Sequence, residues 1–209
     1  MQGKIISFEG IEGTGKSTQV QNLKQFLCSK NIDAISVREP GNTPIGERIR
    51  HLLQHEPQAH NMCPETELLL YEASRAQLIH EVIIPALNNG QWVICDRFFD
   101  SSTAYQGAAR QLPTEIVKQL NHFAVGKYIP DLSILLDIDV SIALQRLHHR
   151  KEKKDRIERE SVAFFKCVRD RYLQLAIEEA FRFFVIDGAL PVETIAQRVC
   201  ECVQKHFAL

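Results

Sequence analysis

Apolar positions along the chain fall into two kinds of segment that alternate. Short, β-branched runs occur at "KIISFE" (4–9), "AISVR" (34–38), "WVICD" (92–96), "LSILLDID" (132–139) and "RFFVID" (182–187), each of strand length. Between them lie longer stretches with apolar residues three and four apart, such as Val20, Leu23, Phe26 and Leu27, the spacing of one helix face. The strand runs are continuously apolar rather than alternating, which predicts burial on both faces. Strands alternating with helices then predict an α/β fold: a five-stranded parallel sheet flanked by helices.

Pro64 opens a helical pattern that carries through to Gly90, with Pro85 expected to kink its last turns. "SIALQRLHH" and "SVAFFKCVRDRYLQLAIEEAF" are amphipathic, and the charged run "RKEKKDRIERE" (150–160) separates their apolar faces. No linker-like stretch or repeat interrupts the 209 residues, so residues 1–209 read as a single domain. A formal net charge of −1 supplies no overall positive field, which argues against nucleic acid or an anionic membrane as partner and makes any basic patch local. Six cysteines without a CxxC pair suggest reduced thiols. The amino terminus enters a strand at once, and the longest apolar run, "LSILLDIDV", is far short of the roughly 20 residues a spanning helix needs. A soluble, cytoplasmic protein is expected. His51 and His55 share a helix face near His60 and Cys63, but no carboxylate or cysteine pair completes a zinc set, and a solvated face is the plainer reading.

The candidate chemistry begins at "GIEGTGKS", Gly10 to Ser17, which fits the phosphate-loop spacing GxxxxGK[ST] between a strand and a helix. Gly10, Gly13 and Gly15 leave room for backbone N–H groups to turn onto a polyphosphate, and Ile11, Glu12, Thr14 and Thr18 complete the loop. Lys16 would reach the β- and γ-phosphates and Ser17 would offer its hydroxyl to Mg²⁺. A glycine-rich turn that only joins two elements has the same look. Such loops also serve guanine-nucleotide switches, motor ATPases and small-molecule kinases, and the chain contains neither NKxD nor DxxG. Instead "WVICD" ends in Asp96 followed by Arg97, at the carboxyl end of a central strand where open α/β sheets bind ligands. An arginine there can point at the phosphate between two nucleotides, although a surface ion pair would leave the same dipeptide.

Six blocks, "FEGIEGTGKST", "REPGNTPIGERIR", "YEASRAQLI", "DRFFDSSTAYQG", "PDLSILLDID" and "DRIERES", closely resemble bacterial-type thymidylate kinases in the same order and cover most of the chain. The resemblance implies the P-loop nucleoside monophosphate kinase fold with a short lid at about 146–157, transfer of the γ-phosphoryl of ATP to dTMP with Mg²⁺, and a homodimer. It implies that Arg97 bridges the dTMP phosphate and the moving phosphoryl, that Asp96 orients Mg²⁺, and that Arg75 is a second arginine on the acceptor phosphate. Tyr71 would stack on thymine, Ser102, Tyr105 and Gln106 would line the base and deoxyribose pocket, and Glu39 and Pro40 would shape its wall. Glu12 is similar to an acid that reaches the sugar 3′-hydroxyl or an acceptor-side metal. One group of these kinases carries an arginine inside the loop where this chain has Gly13 and Thr14, so the resemblance is to the group whose arginine comes from the lid. Arg146 and Arg150 are the candidates, Arg150 as the catalytic one and Arg146 beside the nucleotide. A kinase for another monophosphate and a slowly hydrolysing P-loop switch remain alternatives; two arginines aimed at an acceptor speak against the switch.

Overall fold

The computed structural model describes residues 3–149 and 154–209. Five parallel strands, β1 (Ile5–Glu9), β2 (Ala34–Arg38), β3 (Trp92–Asp96), β4 (Leu132–Asp137) and β5 (Phe183–Asp187), form one sheet in the order β2-β3-β1-β4-β5. The helices among the described residues are α1 (Lys16–Ser29), α2 (Pro44–Gln54), α3 (Pro64–Leu78), α4 (Ile84–Asn88), α5 (Phe99–Ser102), α6 (Thr114–Val125), α7 (Val140–His149), α8 (Val162–Glu178) and α9 (Val192–Phe207). The chain starts at the sheet centre, runs out to β2 and returns through β3, then crosses to the other side of β1. That reversal opens a crevice at the carboxyl end of β1, where the phosphate loop leaves the sheet.

Side-chain alternation along the buried strands serves two cores. Ile6 and Phe8 of β1 pack with Ile94 of β3, Ile134 of β4, and Val20, Leu23 and Leu27 of α1, closed by Val199 and Val203 of α9. On the opposite face Ile5, Val93 and Cys95 meet Leu78, Ile79 and Phe98, while Leu135 and Phe183 meet Phe165, Val168 and Tyr172 of α8. Both faces are covered at β1, β3 and β4, which is why these strands read as unbroken apolar runs; the edge strand β5 leaves Phe184 and Val185 exposed.

Local signals set the ends of several helices. The Thr43 hydroxyl accepts from the Gly46 N–H at 2.9 Å with Pro44 at the first position of α2, and the Ser161 hydroxyl accepts from the Phe164 N–H at 3.1 Å to start α8. The strands expected at 34–38 and 92–96 keep their bounds, whereas β4 stops at Asp137, two residues before the expected end. The helix expected to continue from Pro64 to Gly90 is not uniform: α3 passes into a π-helical turn over Ile79–Ile83 before α4 begins. Pro85 explains it, since the proline lacks an N–H and its ring crowds the carbonyl four residues back, and the widened turn bonds the Ile84 N–H to the Ile79 carbonyl instead. No helix among the described residues is long and apolar enough to cross a membrane.

Leu23 is fully buried between the sheet and α9. Leu23→Ala should lower unfolding stability by about 2–5 kcal/mol, measured as a fall in the urea midpoint with the slope unchanged.

Candidate functional site

β1 ends at Glu9, and the chain then turns through the loop into α1 at Lys16. Gly10 (φ 134°) and Gly13 (φ 77°) occupy backbone conformations that favour glycine, and a Cβ would lie 2.5 Å from the Leu136 carbonyl oxygen at the first and 2.6 Å from that of Ala143 at the second. Gly15 precedes α1 with no side-chain cap, so the amides of the first turn are left to a ligand, where the helix dipole favours an anion. Gly13, Gly15, Lys16, Ser17 and Thr18 all line a cleft of about 580 Å³. Ile11 is buried beneath the loop, and the Thr14 hydroxyl donates to the Ile11 carbonyl at 3.0 Å, which holds the turn. The Lys16 ammonium folds onto the Gly10 and Ile11 carbonyls at 3.1 and 2.8 Å. Burial, with the nearby charge of Arg97, lowers it to about 8. The Ser17 hydroxyl donates to Asp96. One hydroxyl and one carboxylate, both hard oxygen donors, suit Mg²⁺ held mainly by substrate phosphates; no larger cluster of metal-binding side chains exists among the described residues.

Arg97 follows β3 with φ 73°, and its N–H donates to the Phe8 carbonyl across the sheet. Its Nη1 donates to the Gly10 carbonyl at 2.9 Å and to the hydroxyls of Ser101 and Tyr172 at 3.3 Å. Its Nη2 pairs with Glu12 at 2.8 Å and donates to the Tyr105 hydroxyl at 3.1 Å, and Tyr105 donates in turn to Glu12 at 2.7 Å. Loop, strand end and the π-helical turn Thr103–Ala109 thereby converge on one guanidinium.

Beyond Arg97 lies an inner pocket walled by Glu39, Pro40, Tyr71, Ser102, Tyr105 and Gln106, the residues expected there from sequence. Gln54 and Ile157 also line it. Among the described residues Glu39 Oε1, Gln54 Oε1 and Ser102 Oγ are buried without a hydrogen-bond partner, so the pocket presents unmet polar atoms to a polar ligand. Five residues, Glu12, Glu39, Gln54, Arg97 and Asp155, line both the pocket and the cleft, so the two cavities adjoin along them.

Arg75 departs from its expected place. It is 1% exposed and lines neither cavity; its Nε pairs with Glu39 at 2.7 Å, its Nη1 pairs with Glu72, and its Nη2 donates to the Phe98 carbonyl at 3.4 Å. A guanidinium held by two buried carboxylates braces the wall that carries Tyr71 rather than facing an incoming phosphate. Burial raises the Glu39 carboxyl to about 7, against the lowering effect of Arg75. Arg50, unlike Arg75, does face the cleft, and its Nη1 donates to the Pro40 carbonyl at 3.0 Å. Its position had a sequence signal: Arg50 stands four residues after Gly46 and three before Leu53, the buried positions of α2. Arg146 on α7 lines the cleft against the loop, donating to the Gly188 carbonyl at 2.9 Å and to the Gly13 carbonyl at 3.5 Å. Arg150 lies outside the described residues. Of the expected lid, 146–149 continue α7, and Asp155 and Ile157 reach the inner pocket.

The sequence model of the family described as Thymidylate kinase matches residues 8–199. Among similar chains, a "Thymidylate kinase" of Kosmotoga olearia is 47% identical over 205 residues, covering 96% of this chain and 97% of its own. One of Fervidobacterium nodosum is 48% identical over 203 residues, with 97% and 100% covered, and one of Carboxydothermus hydrogenoformans 46% identical over 195 residues, with 93% and 94% covered.

A polyphosphate near Lys16 favours the charged ammonium, so nucleotide binding takes up a proton at a pH above the free group's value of about 8. Affinity for a nucleoside triphosphate should therefore fall as pH rises through that value. Calorimetry at pH 8.5 in two buffers of different ionisation enthalpy should show net proton uptake, and Lys16→Met should abolish it.

Proposed function

Because the chain belongs to the thymidylate kinase family, and so transfers the γ-phosphoryl of ATP to dTMP to give dTDP and ADP, we propose that it binds ATP in the cleft over Gly10–Thr18 and dTMP in the inner pocket, with Arg97 between the two phosphates. The observation that carries this arrangement is the shared wall of the two cavities, with Arg97 and Glu12 in it. Two sites that adjoin through a cation suit transfer between two anions.

In this reading the loop amides and Lys16 hold the β- and γ-phosphates, and Arg146 borders the nucleotide. Mg²⁺ bound at Ser17 and Asp96 would neutralise charge on the β- and γ-phosphate oxygens. Arg97 and Arg50 draw in the dTMP phosphate; Arg50 replaces Arg75 in that role because it is the one that lines the cleft. An oxygen of the dTMP phosphate attacks the γ-phosphorus, the bond to the β,γ-bridging oxygen breaks, and ADP leaves with that electron pair. The attacking oxygen is already anionic, so no strong general base is needed. Tyr71 offers its ring to the pyrimidine, and Gln106 and Ser102 offer hydrogen-bonding groups. Tyr105, fixed through its hydroxyl to Glu12 and Arg97, fills the space a ribose 2′-hydroxyl would need while Glu12 reaches the 3′-hydroxyl. Arg150 remains the candidate for the arginine that closes over the γ-phosphoryl.

We further propose a homodimer in the cytoplasm. α3 packs between α2 and α6, and these helices carry exposed Ile45, Leu52, Leu69, Ile116 and Phe123, the last 86% exposed. Apolar groups of this size in one helix layer suit a second copy of the chain.

Coupled ADP release with ATP and Mg²⁺ should be fast with dTMP and slow with dCMP, dGMP, the ribose analogue of dTMP or no acceptor; equal ADP release without acceptor would overturn the reading. Arg97→Ala should lower kcat by about 10²–10³-fold. Arg50→Ala should raise the dTMP KM about tenfold or more, the loss of a charge-assisted hydrogen bond. Phe123→Lys with Leu69→Lys should shift sedimentation from dimer to monomer.

A further inference from the structure

Glu67 lies one turn before Tyr71 on α3, lines neither the cleft nor the inner pocket, and has a side chain 1% exposed. Its Oε1 accepts from Gln106 Nε2 at 2.8 Å and from Arg110 Nε at 3.1 Å. Its Oε2 accepts from Arg110 Nη2 at 3.1 Å and pairs with Arg156 Nη2 at 2.6 Å. Burial alone would raise this carboxyl, but the hydrogen bonds from Arg110 and Gln106 and the charges of Arg110 and Arg156 outweigh it and hold it below the ordinary glutamate range.

The partners come from separate parts of the chain that meet around the inner pocket. Gln106 lines the pocket from the π-helical turn, and Arg110 ends that turn. Arg156 sits between Asp155 and Ile157, both of which line the pocket, and Ile157 is 4% exposed. The Arg156 Nε also donates to the Leu53 carbonyl at 2.8 Å near the end of α2. Charge is shared unevenly. Arg110 has a second carboxylate in Glu160 at 2.6 Å, whereas among the described residues the carboxylate paired with Arg156 is Glu67. A neutral side chain at position 67 would leave two guanidinium groups facing each other with one carboxylate, and Arg156, with no other carboxylate paired to it among the described residues, would be driven from the cluster. It would take Asp155 and Ile157 out of the pocket wall.

We infer that Glu67 is the positioning residue of the acceptor pocket: it sets the spacing between the Gln106 wall and the Asp155–Ile157 wall, and so governs acceptor affinity without touching the acceptor. The inference rests on reading that pocket as the dTMP site. The phosphate end of the cleft is held by other contacts, Lys16 by the Gly10 and Ile11 carbonyls and Ser17 by Asp96.

The test compares wild type, Glu67→Gln, Arg156→Met and the double variant for dTMP KM, kcat, and ATP affinity measured without acceptor. Glu67→Gln should raise the dTMP KM about tenfold or more, as a buried charge left unbalanced would, with ATP affinity held within about twofold. Arg156→Met should raise the KM several-fold. The double variant should fall back to the value of Arg156→Met alone, because removing the stranded guanidinium removes the penalty; a merely structural loss would not be rescued in this way. An unchanged dTMP KM in Glu67→Gln, an equal loss of ATP affinity, or single effects that multiply would each overturn the inference. If Glu67→Gln does not fold, Arg156→Met decides alone, and an unchanged KM there overturns it. Failure of wild type to turn over dTMP would sink the acceptor reading instead, so the two failures are told apart.

Discussion

The Arg97 guanidinium stands where the two cavities meet, held by a backbone conformation that an arginine rarely adopts. A left-handed residue of this kind costs on the order of 1–3 kcal/mol, which five side-chain hydrogen bonds to Gly10, Glu12, Ser101, Tyr105 and Tyr172 offset. Under them lies Glu9, fully buried at the end of β1, accepting from the Phe98 N–H at 2.8 Å, the Ser101 hydroxyl at 2.7 Å and the Tyr172 hydroxyl at 3.0 Å. Burial and the nearby Asp100 raise its carboxyl to about 8. The parallel register that sets Phe8 beside Asp96 brings this carboxylate and that arginine to the same end of the sheet. The site is thus built on sheet register before any loop is considered.

A chain of net charge −1 concentrates its cations where the chemistry needs them. Lys16, Arg50, Arg97 and Arg146 all line one cleft, and the amino end of α1 adds its dipole. Phosphoryl transfer asks little covalent chemistry of a protein, so alignment and fixed positive charge carry the rate. The carboxylates among these cations have separate tasks. Glu12 orients Arg97 and Tyr105, Asp96 holds Ser17, and Glu39 ties Arg75 into the pocket wall. The Glu12 and Glu39 interactions are strengthened by burial, which makes loss of a single partner there costly.

Much of this was legible in the residues. Continuous apolar runs marked β1, β3 and β4 because both faces of the central sheet are covered, whereas the run at the edge strand β5 leaves Phe184 and Val185 exposed; the loop spacing located the cleft because its glycines are required by contacts with Leu136 and Ala143. The inner pocket came from family resemblance: Tyr71, Ser102, Tyr105 and Gln106 do line it, though nothing in their spacing alone would have gathered them. For Arg75 the sequence shows that a guanidinium shares a helix face with Tyr71 but not that Glu39 and Glu72 pair with it. Arg50 was passed over although its helical register pointed inward. The Glu67 cluster was invisible, since it depends on partners up to 103 residues apart in sequence, as in the Arg156 contact with Leu53.

Central to the account is the claim that one arginine joins a donor cleft to an acceptor pocket. The most direct measurement is the binding of a thymidine–adenosine oligophosphate, a single molecule long enough to place one nucleoside at each end of the joined cavities, to wild type and to Arg97→Met. The account predicts one molecule per chain, bound more tightly than ATP or dTMP alone, displaced by either nucleotide, and weakened about tenfold or more by Arg97→Met. Binding that competes with ATP but not with dTMP, or that is indifferent to Arg97, would contradict it.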